Sequence, residues 1–184
     1  MSTADLAGLS PELRAMIGVQ TGRTRSGVVE ADGVRRFAQA IMDPDPRYWD
    51  EGFARHARHG AVVAPPLYCT HLGLKAPAGT PDHLDAAFAR DPDFDGSSVA
   101  LPSGAETLPK LPTPFVRILN AGNEIELRRY PSIGDEVFSH IRYADITSKQ
   151  DRDGKPMLLV VIETVYSTAH EEVLCIVRTS QIRR

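Results

Sequence analysis

Apolar and polar positions repeat along this chain with two periods, one helical and one extended, and the change between them divides it. In the first part the spacing is mostly helical. Val34, Phe37, Ala38 and Ile41 in ADGVRRFAQAIMD stand at i, i+3, i+4 and i+7, which predicts an amphipathic helix with these four on its apolar face. Pro44 and Pro46 disfavour further helix, so it ends at Asp43. SPELRAMIG predicts a short helix with Ser10 as its cap, Pro11 in its first turn and Gly18 past its end. DEGFARHARHG predicts another, capped by Asp50 and stopped by Gly60. VVAPPLYCTHLGLK has prolines in a first helical turn and an apolar body behind them, the pattern of a buried helix. Between these helices, GRTRSGVVEA is extended.

The last part is β-rich. NEIELRRYP, DEVFSHIRYADITSKQ, KPMLLVVIETVYST and EVLCIVRTSQIRR are strand-like runs separated by the turn-like SIGD, DRDG and AHEE. Successive strands joined by short turns predict an antiparallel meander, to which the strand at 23–30 can add. A sheet of about five strands needs a cover on one face, and the apolar helix at 65–75 supplies it. The fold class is therefore α+β: a curved antiparallel sheet wrapped round a central helix. Residues 76–114 differ from both parts. They are rich in proline and glycine and form a connection long enough to be functional or mobile, so the chain reads as a single domain over 1–184 with a long excursion. Leu84, Phe88, Phe94, Val99 and Leu101 give that excursion something to bury.

Composition narrows the function classes. The 184 residues carry 21 basic and 24 acidic side chains, a net charge of −3. The basic residues are dispersed, which leaves no footprint for nucleic acid. No apolar run is long enough to span a membrane, and the N-terminal stretch has no secretory pattern. Cys69 and Cys175 lie in apolar contexts and read as buried, reduced thiols of a cytoplasmic protein. His56 and His59 lack a third ligand at metal-binding spacing. Ser97, Ser98 and Ser103 lack the strand–turn–helix setting of a nucleophilic serine.

The candidate chemistry lies in Met42-Asp43-Pro44-Asp45-Pro46-Arg47-Tyr48-Trp49-Asp50. This stretch, followed by Ala64-Pro65-Pro66, then Gly122-Asn123-Glu124 and Gly134-Asp135, resembles the MaoC-like family, in particular its N-terminal-type, FAS1-like dehydratase domain, over about residues 15–184. The family motif runs Gly-Asp-x-Asn-Pro-x-His-x-Asp. Asp43, Pro46 and Asp50 match it, whereas Met42, Asp45 and Tyr48 depart from it. The resemblance implies the hot-dog fold, no cofactor, and reversible addition of water to an enoyl thioester. That reaction needs a base for the water, an acid for the α-carbon and donors for the enolate oxygen. Tyr48 stands where the family has its histidine, and a tyrosine stays protonated at neutral pH. The chain is similar in this to the substrate-binding halves of heteromeric hydroxyacyl-carrier-protein dehydratases and steroid-side-chain enoyl-CoA hydratases.

On this reading Asp43 and Tyr48 are a degenerate catalytic pair, and His59, Pro65 and Asn123 are substrate-binding candidates. The partners implied are an acyl-CoA or acyl-carrier-protein thioester and a catalytic hot-dog subunit or a second copy, with no nucleic acid and no membrane. Bland roles stand beside these. Asp43 suits a helix-end turn, Tyr48 and Trp49 suit packing, with Trp49 in the core or a subunit contact, and Asn123 suits a structural role. Three functions remain open: a non-catalytic subunit of a hydratase or dehydratase in fatty acid or steroid metabolism, a self-sufficient homodimeric hydratase using Asp43 with His59, and a thioester-binding scaffold without turnover.

Overall fold

A computed structural model describes residues 8–73, 83–93 and 108–184. In chain order the elements are α1 Pro11–Ala15, β1 Thr24–Val28, α2 Ala31–Ala40, a 3₁₀ turn Pro46–Tyr48, α3 Glu51–His56, α4 Tyr68–Gly73, α5 His83–Arg90, β2 Ile118–Leu127, β3 Glu136–Gln150, β4 Pro156–Thr168 and β5 Val173–Arg183. The caps fall where the side chains direct. Ser10 Oγ accepts from Leu13 N at 3.3 Å, and Asp50 Oδ1 accepts from Phe53 N at 2.9 Å. Gly18 follows α1 with φ +89. The third of these helices ends at His56, four residues before Gly60, and α5 is a regular helix inside the 76–114 excursion. Phe94, Val99, Leu101 and the three serines of that excursion lie outside the described residues.

The described strands form one antiparallel sheet in the order β1-β3-β4-β5-β2. The predicted meander therefore holds for β3, β4 and β5 but not for β2, which lies at the far edge on β5. The reason is in residues 128–135, which do not make a hairpin. Arg128 N and Arg129 N both donate to Leu174 O, at 2.9 and 3.1 Å, and Ala64 N donates to Pro131 O at 2.7 Å. The Arg129 guanidinium pairs with Asp135 and with Glu172 of the β4–β5 turn, each at 2.9 Å. The chain is thus tied across the end of the sheet, from one edge strand to β3.

Both buried clusters lie on the same, inner face of this sheet. One gathers Val34 and Ala38 of α2, Tyr48, and Tyr68, Cys69 and Leu72 of α4 against Val137, Tyr166 and Cys175. The other sets Leu9, Leu13 and Leu111 against Tyr143, Ile146, Leu158 and Val160. The helix predicted as the cover is therefore the cover, and α4 packs on β1 and β3. Ile41 departs from its predicted face, with 47% of its surface exposed. It caps α2 with φ −86 and ψ 3, outside the helical repeat that placed it with Val34 and Ala38. Cys69 and Cys175 are free and buried, as expected. Their mutual hydrogen bond, together with burial, holds the Cys69 thiol above its ordinary range, which makes it an inert core group.

Candidate functional site

The site is built on the break after α2. Ile41 N still donates to Phe37 O, but Met42 then takes φ +56, a left-handed conformation rare outside glycine. Asp43 N closes back on Ala38 O at 3.0 Å. From there short acid-centred turns follow one another. Asp43 Oδ1 accepts from Asp45 N at 3.1 Å, and Asp45 Oδ1 accepts from Arg47 N at 3.0 Å. Asp45 Oδ2 also pairs with Arg47 Nε at 2.7 Å. The backbone and side-chain hydrogen bonds from Arg47 hold the Asp45 carboxyl below its usual range. The turn chemistry expected of Asp43 is therefore present, and it orients a half-buried carboxylate.

Tyr48 closes the 3₁₀ turn and is buried in the first core cluster. Burial, then the neighbouring Tyr130 phenol, then the Asp43 carboxylate push its hydroxyl above the ordinary tyrosine range. At neutral pH this hydroxyl keeps its proton, so it is able to donate a hydrogen bond but not to act as a base. Asp43 next to it is an acceptor. The pair can hold a water molecule or polarise a carbonyl, but it supplies only part of an acid–base couple.

Each member of this pair lines a cavity, and the two cavities share Arg35 and Trp49. One, of about 530 Å³, has Tyr48 in its wall with Arg35, Arg55, Ala61, Ser132 and Ile133. The other, of about 360 Å³, is lined by Asp43, Ala38 and Gln39. Trp49 is 52% exposed, which removes it from the core and leaves it at the mouth of both cavities. Sequence reasoning missed Arg35, Tyr130 and Ser132. The last two arrive on the connection after β2, and no local pattern announces that the connection ends beside the motif.

The other candidates are dispersed. His59 is exposed and lies in a separate cavity of about 290 Å³ with Arg47, Phe53, Arg58 and Tyr130, its ring 4.9 Å from that of Tyr130. Tyr130 therefore neighbours both His59 and Tyr48. Pro65 is fully buried and its carbonyl accepts from Tyr68 N at 2.9 Å, so it starts α4. Asn123 is exposed on edge strand β2, opposite Thr179. It lies four residues, roughly 13 Å along the strand, from Leu127, which packs on the cluster that holds Tyr48. Within one chain the fold does not bring Asn123 to the Asp43–Tyr48 pair. Among the described residues no group of three or more His, Cys, Asp or Glu side chains is arranged to hold a metal ion. No described helix is long and apolar enough to cross a membrane.

Three comparisons bear on this arrangement. The family model for the FAS1-like, dehydratase domain region matches residues 15–177. A UPF0336 protein of Thermobifida fusca (strain YX) is 27% identical over 150 residues, 82% of this chain and 80% of that one. Among solved structures, the ChsH1-ChsH2 complex from Mycobacterium tuberculosis superposes with a TM-score of 0.66 at 17% identity, covering 94% of this chain and 88% of that one. A MaoC-like dehydratase from Rhodospirillum rubrum superposes with a TM-score of 0.56 at 19% identity, covering 91% and 93%. At these identities the two structures show the shared architecture, which is the hot-dog fold.

Proposed function

The chain belongs to the FAS1-like dehydratase family of MaoC-like hot-dog proteins, whose chemistry is of the hydro-lyase kind, and from that premise we propose that it is the substrate-binding, non-catalytic half of an acyl-thioester hydratase or dehydratase. Its partner is a hot-dog subunit carrying an intact aspartate and histidine. The single observation that carries this reading is the buried phenol of Tyr48 beside Asp43, at the position of the family's histidine. A hydroxyl pushed above the ordinary tyrosine range cannot take a proton from water at pH 7. It can orient a thioester carbonyl or the chain behind it.

The substrate on this proposal is a 2-enoyl-CoA or an enoyl-carrier-protein, or the corresponding 3-hydroxyacyl thioester. The cavity at Tyr48, whose wall carries Arg35 and Arg55 beside Asp32 and Glu51 as well as Ala61, Val62 and Ile133, supports a ligand with a polar head and an apolar tail. His59 and Asn123 are exposed on surfaces that a second subunit can complete. Pro65 contributes by setting the start of α4. Two free buried thiols suit a reducing cytoplasm.

The test is expression of the chain alone and with its candidate catalytic subunit, followed by hydration of crotonyl and bulky enoyl thioesters. The lone chain is expected to be slower by about 10² to 10⁴, the usual effect of a missing acid–base group. Tyr48→His is expected to restore part of the rate to the lone chain, because Asp43 is already oriented. Full turnover by the wild-type chain alone, abolished by His59→Ala, would refute the proposal and establish a self-sufficient homodimer. Thioester binding without turnover in either preparation would establish a scaffold.

A further inference from the structure

The outer face of the sheet, opposite both core clusters, carries a pattern that the proposed activity does not use. In an antiparallel sheet with one wet face, strands alternate apolar and polar residues. Strand β4 does not. Its run Met157-Leu158-Leu159-Val160-Val161-Ile162 is apolar on both faces. Leu158, Val160 and Ile162 belong to the inner cluster. Leu159 and Val161 point outward, as do Val165 and, on β5, Ile176 and Ile182. All five are half-buried. Every helix residue in the two core clusters packs on the inner face.

Across the middle of this outer face runs a row of charges. The register sets Arg142 of β3 opposite Glu163 of β4, Glu163 opposite Arg178 of β5, and Arg178 opposite Glu124 of β2. Arg142 Nε donates to Glu163 Oε1 at 2.7 Å, Arg178 Nε donates to Glu163 Oε2 at 2.8 Å, and Arg178 Nη1 reaches Glu124 Oε1 at 3.4 Å. Arg178 Nη2 also donates to Glu126 at 3.2 Å, and Glu126 is shared with Arg128. From β3 to β2 the row runs plus, minus, plus, minus.

Such a row is complementary to itself under one symmetry operation. Two copies placed face to face about a two-fold axis that runs along the strands, between Glu163 and Arg178, set each charge against its opposite. Arg142 then faces Glu124 of the second copy, and Glu163 faces its Arg178. The same axis brings Val165 onto Ile176 of the second copy, so the aliphatic flanks meet as the charges align. An axis across the strands would set like against like and is disfavoured. We propose that the outer face is a docking surface for a second copy of this chain in that orientation, distinct from any pairing through a strand edge or at the Tyr48 cavities. The aliphatic side chains contribute most of the affinity, because desolvating an already paired ion row returns little. The row sets the register and rejects other partners.

A charge swap tests this without assuming any partner subunit. Glu124 is 71% exposed at its side chain and Arg142 is 44% exposed, so both reach a facing surface, but each also pairs within its own chain, Arg142 with the buried Glu163 and Glu124 with Arg178, so each single variant costs some stability of the fold as well. Within one chain they stand three strand spacings apart, roughly 14 Å, and share no contact. In the proposed dimer they face each other. Sedimentation equilibrium of the full chain is expected to show self-association through this face. E124R and R142E are each expected to weaken it by roughly tenfold or more, since each sets like charges opposite one another twice per dimer. The double variant E124R/R142E is expected to regain most of the loss, because opposite charges again face each other across the two copies. Circular dichroism and urea unfolding check that all three variants fold, and R142Q, which removes the charge without setting a second carboxylate against Glu163, is expected to weaken association in the same direction as R142E. A double variant no better than the worse single one would overturn the proposal. So would a wild-type chain that shows no association step sensitive to either substitution, as when residues of the same chain cover this face.

Discussion

Gly33 in the first turn of α2 allows the structure to be tested by a double-mutant cycle. A Cβ placed on Gly33 would lie 2.4 Å from Tyr68 Oη and 3.6 Å from Tyr68 Cζ. Tyr68 is fully buried at the start of α4, with its ring edge-on to Phe37 at 5.4 Å between centroids. It cannot swing aside, and its hydroxyl cannot leave the plane of the ring. Two effects of Gly33→Ala therefore oppose each other. Helix propensity favours alanine by up to about 1 kcal/mol. Overpacking a rigid core costs about 1–3 kcal/mol, and a contact of 2.4 Å belongs to the upper part of that range. The substitution is expected to destabilise the wild type by about 1–2 kcal/mol. Tyr68→Phe removes the one atom that clashes, while the remaining 3.6 Å contact is ordinary. In that background Gly33→Ala is expected to be neutral or stabilising by up to about 1 kcal/mol. The coupling, about 2 kcal/mol, lies within the range seen for residues in direct contact. Urea unfolding followed by far-ultraviolet circular dichroism measures all four corners of the cycle. If Gly33→Ala costs the same in the Tyr68→Phe background as in the wild type, the packing of α2 on α4 described above is wrong.

Two further outcomes follow from the site. Asp45 has a folded-state carboxyl held below its unfolded value by Arg47, so its contribution is present above the unfolded pKa of about 3.9 and is lost as pH falls through the lower folded value; an acid titration of stability should show this loss in the wild type and not in Asp45→Asn, and identical acid profiles would count against the Arg47 contact. Met42 has φ +56 and is 87% exposed, so Met42→Gly removes left-handed strain of about 1 kcal/mol against a similar gain in unfolded-chain entropy; thermal unfolding should show little change, while Met42→Val, β-branched at the same φ, should destabilise more than Met42→Ala.

The family's half-matching motif was legible at Asp43 and Tyr48 because both lie within six residues of one turn, where proline and aspartate chemistry is local. The same locality made the caps at Ser10 and Asp50, the strand β1, the buried face of α2 at Val34 and Ala38, and the central helix readable. Hydrophobic period reports how often a residue wants burial along its own element. It does not report which distant segment supplies the cover. For that reason only the tertiary structure decided that β2 crosses to β5, since the ties of residues 128–131 to Leu174 and Ala64 are long-range. It alone placed Tyr130 and Ser132 beside Tyr48, exposed Ile41 and Trp49, and separated Asn123 from the motif along an edge strand. The doubly apolar run in β4 was present in the sequence from the start. Its meaning depended on register, because only the pairing of four strands lines up Arg142, Glu163, Arg178 and Glu124 in one row.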